Sequence, residues 1–288
     1  MEMSITHSPA NAAQIEFWNG PTGQRWTRLQ KRIEDNLRPF TAATLERLAP
    51  EAGERIVDIG CGAGDTTLAL AERVQAHGFV LGVDVSRPLL NRATARAANT
   101  PEYPVRFVEA DAAAYAFERA SFDALFSRFG VMFFADPAAA FANLRRGLKP
   151  GGRIAFCCWR DRRENPWVTL PVAAARKHLS ELPPAPGPDE PGPFSFADTA
   201  RIRRILTSAG FARVVCEKFD PLLAYGTEPR DAADYLTQMG PIGSVLQEHP
   251  EALRAAVAET LAGTLEAHRE AGGIRLAAAV WIVTARSE

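Results

Sequence analysis

The segment Ile56-Val57-Asp58-Ile59-Gly60-Cys61-Gly62-Ala63-Gly64-Asp65 constrains the fold more than any other part of the chain. It predicts a buried strand, a glycine-rich turn and a helix start. Glycine reaches backbone angles closed to other residues and lets a ligand lie against the main chain. In α/β sheets, such a turn at the carboxyl end of a strand is where nucleotide-like molecules bind. Asp58 and Asp65 flank it. A phosphate wants the helix N-terminus for itself, and an acid fixed there repels it. The turn therefore predicts a nucleoside with no phosphate and some positive charge.

Downstream the pattern alternates. Strands are expected at 55–60, 79–84, 105–111, 122–128 and 153–159. Leu68, Leu70, Ala71 and Val74 give an apolar face to a helix over 65–75, with Asp65 as its N-cap. Ser86 is placed to cap the next helix. Asp136-Pro137 reads as a cap followed by proline at the first helical position. Strands alternating with helices imply a mainly parallel sheet covered on both faces.

Around this core, 51–160, other segments are expected. Residues 1–50 form a helical cap rich in aromatics (Phe17, Trp18, Trp26, Phe40). Residues 161–197 are an insertion with a short helix over about 166–179 and a proline-rich run, 182–193. That run is either a disordered linker or, given Phe194 and Phe196 beside it, an ordered loop. Residues 198–225 and 274–288 complete the sheet, with strands at 213–220 and 274–286. Residues 226–273 are a helical insertion, in which Leu253, Val257, Leu261 and Leu265 recur every four residues.

The formal net charge is −1, so no global basic field draws in nucleic acid. The N-terminus has Glu2 and His7 but no apolar h-region of a secretion signal. The apolar run 276–285 is too short to span a membrane. Cys61, Cys157, Cys158 and Cys216 lack metal-site spacing and read as free thiols of a reducing cytoplasm. No metal, no nucleic acid and no membrane insertion are expected, in a cytoplasmic monomer or homodimer.

Two more acids end strands. Asp84 stands twenty residues beyond Gly64, where an acid accepts hydrogen bonds from ribose hydroxyls. Asp111 ends the third strand, as an acceptor for an adenine amino group or as a turn-stabilising acid. A dinucleotide fingerprint needs glycine where this chain has Asp65, and a P-loop needs Lys-Ser/Thr, which is missing. The pattern Asp58-x-Gly60-x-Gly62-x-Gly64 with Asp84 and Asp111 resembles the class I S-adenosylmethionine-dependent methyltransferase family. Phe122 to Ser127 resembles the family's fourth-strand motif, and Leu144 to Gly152 its motif before strand five. The nearest subgroup is that of small-molecule methyltransferases like those of ubiquinone and menaquinone biosynthesis.

The resemblance implies a Rossmann-like, seven-stranded mixed sheet whose last strand is antiparallel. It implies S-adenosylmethionine as cofactor, and roles by position. Gly60, Gly62 and Gly64 meet its methionine part, with Asp58 near the ammonium. Asp84 and Val85 hold the ribose, Asp111 and Ala112 meet the adenine, and Ser127 and Arg128 lie beside the sulfur through backbone groups; Trp26 also contributes to cofactor binding. An apolar pocket for a small organic molecule is expected from Trp18, Phe129, Trp159, Phe194 and Phe196. The stretch from Trp18 to Trp26 is either a lid or an ordinary packed helix, and Trp159 is either pocket wall or core.

No general base is evident. The five histidines (His7, His77, His178, His249, His268) are scattered. His178 either faces a substrate or sits on a surface helix. Arg128 either binds an acidic substrate group or pairs with a nearby carboxylate. Other readings stay open: a cofactor-binding protein without transfer, or a protein or nucleic-acid methyltransferase. Against the last, Ser127-Arg128-Phe129-Gly130 stands where amino-methylating nucleic-acid enzymes carry Asn/Asp-Pro-Pro-Tyr/Phe.

Overall fold

The computed structural model describes residues 9–288. The first eight residues of the expected cap, with Glu2 and His7, lie outside the described residues. Three helices open the chain: α1 (Ala12–Asn19), α2 (Pro21–Arg28) and α3 (Gln30–Leu48). There follow β1 (Arg55–Ile59), α4 (Asp65–Val74), β2 (Phe79–Asp84), α5 (Arg87–Ala97), β3 (Val105–Glu109), β4 (Phe122–Arg128), α6 (Pro137–Gly147) and β5 (Leu148–Trp159). The remainder is α7 (Pro166–Ala175), α8 (Thr199–Ser208), β6 (Phe211–Phe219), β7 (Leu222–Gly226), α9 (Pro229–Leu236), α10 (Gly240–Gln247), α11 (Glu251–Leu265), β8 (Arg269–Glu270), β9 (Gly273–Ala277) and β10 (Val280–Ser287).

Two compact units emerge. Among the described residues, the first holds 9–159, 188–218 and 281–288, and the second holds 160–187 and 219–280. The first contains a seven-stranded sheet in the order β3-β2-β1-β4-β5-β10-β6. The pairings β1–β2, β2–β3, β1–β4 and β4–β5 are parallel, and the last strand is antiparallel. β1 is central, so Ile56 to Ile59 are all buried, as a strand covered on both faces requires. From β1 the chain winds to β2 and β3 on one side, then crosses to β4 and β5 on the other. That reversal opens a crevice at the carboxyl ends of β1 and β4.

The two faces of the sheet pack differently. Ile56, Val80, Ala124, Phe126 and Ala155 meet Leu45 and Leu48 of α3 and Leu70 and Val74 of α4. Phe156, the neighbour of Ala155, points to the opposite face and clusters there with Phe141 and Phe196. The proline-rich run is tied down: Gly192 N–H and Ser195 Oγ donate to Met132 O at 3.1 and 2.7 Å, and Arg201 pairs with Asp189.

The second unit carries a three-stranded sheet, β7-β9-β8, with antiparallel pairings, and helices α7 and α9–α11. The single final strand expected over 274–286 is two strands in two sheets. They part at Ala278-Ala279. There the Asn165 carboxamide bonds both the N–H and the C=O of Ala279, at 3.0 and 3.2 Å. Unbroken apolar character hides such a break, because it is made by a side chain distant in sequence.

Two helix starts also differ from expectation. Gly64 (φ 83°), not Asp65, is the N-cap of α4, and the Asp65 carboxylate turns to Arg128. Ser86 stands at the cap of α5 without a side-chain cap bond; its hydroxyl donates to Trp18 O at 2.8 Å. Asp136 does cap α6, accepting from Ala139 N–H.

Candidate active site

The glycine turn after β1 is held by its own amides. Gly60 and Cys61 N–H donate to Val83 O at 2.8 and 3.2 Å, and Gly64 N–H to Cys61 O at 3.0 Å. Gly62 N–H donates to Asp84 Oδ2 at 2.8 Å. A phosphate cradle needs such donors unspent; here four are already bonded, two to Val83 O, one to Asp84 and one within the turn. This replaces repulsion by Asp65 as the reason phosphate is disfavoured, because Asp65 is paired with Arg128 at 2.8 Å.

Gly60 (φ 69°) is a close-approach glycine: a Cβ there would stand 2.7 Å from Gly130 Cα. Gly62 (φ 53°) is its opposite. A Cβ there would meet nothing nearer than a Leu89 methyl at 4.0 Å, so this part of the turn faces open space.

Asp58 lies beneath the turn, fully buried. Thr66 and Thr67 hydroxyls donate to its Oδ2 at 2.6 and 2.7 Å, while its buried Oδ1 has no partner. Burial pushes its pKa up to about 6, against the pull of the two hydroxyls and of Arg128. Asp84 is partly exposed at the end of β2. Its oxygens accept from Gly62 and Ser86 N–H, both at 2.8 Å. Burial raises its pKa and these amides oppose the rise. Asp111 is buried; Oδ1 accepts from Ala113 N–H at 2.9 Å, and Oδ2 has no partner. Ala112 adjoins it, also buried, and its carbonyl accepts from Asn143.

The N-terminal segment is fastened to this edge. Asn19 Nδ2 donates to Val85 O at 2.7 Å, and Arg87 N–H to Asn19 Oδ1 at 3.0 Å. Trp18 meets Trp26 and Phe133 edge-on, with centroids 5.2 and 5.5 Å apart.

Across the crevice, Ser127 is buried at the end of β4. Its Oγ donates to Ile59 O at 2.8 Å and accepts from Gly130 N–H at 3.1 Å, joining β4 to β1. Arg128 is committed to Thr41 Oγ1 (2.7 Å) and Asp65 Oδ2 (2.8 Å). Phe129 has φ 64°, a conformation that costs a non-glycine residue about 1–2 kcal/mol. It is held there by its N–H bond to Cys157 O at 3.1 Å. Its ring also stacks on Trp159, at 4.4 Å and 8°, with Phe40 edge-on to both.

Phe196 belongs to the core, 1% exposed, and Phe194 is half-buried beside it. His178 is an exposed residue of the second unit, with Nε2 2.7 Å from Thr260 Oγ1. Sequence reasoning missed Thr66, Thr67 and Phe133, and the part played by Phe40 and Gly130. A glycine just after β4, opposite the glycine after β1, is the one local signal that pointed to Gly130.

Residues 56–152 match the family model described as a methyltransferase domain. Over that stretch the chain is similar to methyltransferase domains. A demethylmenaquinone methyltransferase of Lactococcus lactis is 34% identical over 133 residues, 46% of this chain and 50% of that protein. The chain thus spans about half the length of that relative. An O-methyltransferase of Aspergillus nomiae is 29% identical over 188 residues, 65% of this chain and 79% of that protein. The YcgJ protein of Bacillus subtilis is similar in fold, with a TM-score of 0.58 at 18% identity, covering 86% of this chain and 97% of that one. Among the described residues, no cluster of His, Cys, Asp or Glu could hold a metal ion. No described helix is long and apolar enough to cross a membrane.

Proposed function

We propose that this chain transfers a methyl group from S-adenosylmethionine to an O, N or C atom of a small, partly apolar organic molecule. One observation carries the reading: an open glycine, Gly62, flanked by the Asp84 carboxylate, on a turn whose amides are already spent. That site suits a cationic nucleoside and not a phosphate. Two buried carboxylate oxygens without donors, Asp58 Oδ1 and Asp111 Oδ2, fit a ligand that brings an ammonium and an exocyclic amine. An unmet buried acceptor costs about 1–3 kcal/mol.

When bound, the cofactor would supply an electrophilic methyl carbon on a sulfonium, with a neutral thioether as its leaving group. The chain's own residues bind and orient. Asp84, with Val85, takes the ribose, and Asp111 with Ala112 the adenine edge. Gly60, Gly62 and Gly64 let the amino-acid part approach, over Asp58. Ser127 fixes the end of β4 where the sulfur is expected, and Trp26 walls the cofactor through Trp18. Trp159 is buried, core rather than pocket wall; the half-buried Phe129 stacked on it is the ring of the pair left to meet an apolar acceptor. Alignment of this kind supplies up to about 7–11 kcal/mol of barrier reduction.

We assign cofactor binding to residues 51–160. A cytoplasmic location is supported by four free cysteines, three of them buried. Methyl-labelled cofactor incubated with the protein and a metabolite extract tests the reading. Label in a small organic product supports it; cofactor binding without any labelled product favours a binding protein without transfer. Label found in protein or nucleic acid instead favours the macromolecular reading.

A further inference from the structure

Four charges interlock at the glycine turn. Arg128 Nη1 lies 2.8 Å from Asp65 Oδ2. Arg96 Nη2 lies 3.8 Å from the other Asp65 oxygen. Arg96 Nη1 donates to Ala63 O at 2.9 Å, and also to Glu34. All four side chains are partly buried, from 12% exposed for Arg128 to 29% for Asp65. They come from α3, α4, α5 and the end of β4. Glu34 and Thr41 lie along one face of α3, so this helix backs the turn.

Two guanidiniums and two carboxylates sum to zero. Asp58 and Asp84 stand outside the set, so they keep their negative charge for a ligand. The Arg128 cation reaches the floor of the turn, since it pulls down the pKa of Asp58. Without the Asp65 carboxylate, that cation would stand unbalanced beside the proposed cofactor site.

We infer that Asp65 is a specificity-determining residue: it cancels the charge of Arg128, so that the strand-end acids can select a cationic ligand. Glu34 does the same for Arg96. The inference rests on the proposed S-adenosylmethionine site. It differs from a mechanical clamp in sign. Breaking a clamp from either end weakens every ligand alike. Removing a balancing charge weakens a cationic ligand when the acid is lost, but not when the arginine is lost.

Calorimetry on the full chain reads this directly, with S-adenosylmethionine and the uncharged 5′-methylthioadenosine as ligands. Thermal unfolding confirms that each variant is folded. Asp65→Asn is expected to weaken S-adenosylmethionine by roughly fivefold or more, the effect of losing a unit charge beside a half-buried site. Arg128→Met leaves that affinity equal or tighter. Methylthioadenosine stays within about twofold in both variants, having no charge to sense the change. Glu34→Gln weakens the cationic ligand by about twofold; paired with Arg128→Met, it carries the same comparison if Asp65→Asn does not fold. Equal weakening by Asp65→Asn and Arg128→Met, or weakening of both ligands together, overturns the inference, as does no change in any variant. Wild-type protein that binds no S-adenosylmethionine overturns the proposed function and this inference with it.

Discussion

The glycine turn and the aromatic cluster of Phe40, Phe129 and Trp159 stand at the carboxyl ends of neighbouring strands, yet they are built by different means. The turn is a local object. Asp58, Gly60, Gly62 and Asp84 lie close in sequence, and directional hydrogen bonds of 2.6–2.8 Å fix both carboxylates. The aromatic cluster is assembled from afar: Phe40 of α3, Phe129 after β4 and Trp159 at the end of β5. Each ring pair there is worth about 0.5–1.5 kcal/mol and tolerates other shapes. A cofactor with fixed chemistry suits the first kind of construction, and acceptors that differ between relatives suit the second.

The contrast can be broken first at Asp84. Two charge-assisted hydrogen bonds to a ribose are worth roughly 3–5 kcal/mol together. Asp84→Ala is therefore expected to weaken S-adenosylmethionine by about 100-fold or more, and the freed Gly62 amide loosens the turn. Calorimetry measures it; an affinity within about threefold of wild type would remove Asp84 from the site.

Asp58 comes next, through stability. Its pKa is raised to about 6 in the folded protein, against about 3.9 unfolded. The folded state thus holds the proton more tightly, and its advantage is present at low pH and lost as pH rises from about 4 to 6. Denaturant titrations of wild type and Asp58→Asn are expected to differ by up to roughly 3 kcal/mol more at pH 7.5 than at pH 4. A pH-independent difference contradicts the buried, uncompensated carboxylate.

The aromatic side should respond the other way. Phe129→Ala removes a stack worth about 1 kcal/mol. Once label transfer has identified the acceptor, its KM should rise severalfold while cofactor affinity stays unchanged. If cofactor affinity falls instead, the ring belongs to the turn and the division between the two regions fails. The smallest effect is expected at His178, exposed in the second unit: His178→Ala should leave turnover within about twofold and stability within about 0.5 kcal/mol.

How much of this was legible in the sequence follows the same division. The sheet, its glycine turn and the strand-end acids were readable because each depends on neighbours in the chain: branched apolar runs, glycines where φ is positive, acids at strand ends. What depended on distant partners was not. Asp65 looked like a helix cap and an isolated repelling charge, because Arg128 lies far from it in sequence. Phe196 looked like pocket lining because aromatic residues read alike in a core and at its edge. The strand break at Ala278-Ala279 was invisible, since Asn165 makes it.

The central claim is that this rim selects a cationic, unphosphorylated adenosine derivative, and one competition measures it. The wild-type chain is titrated with S-adenosylmethionine, ATP and NAD under identical conditions. The account predicts micromolar binding of S-adenosylmethionine and no saturable binding of either phosphate-bearing compound. Tight binding of NAD or ATP, with S-adenosylmethionine silent, would contradict it.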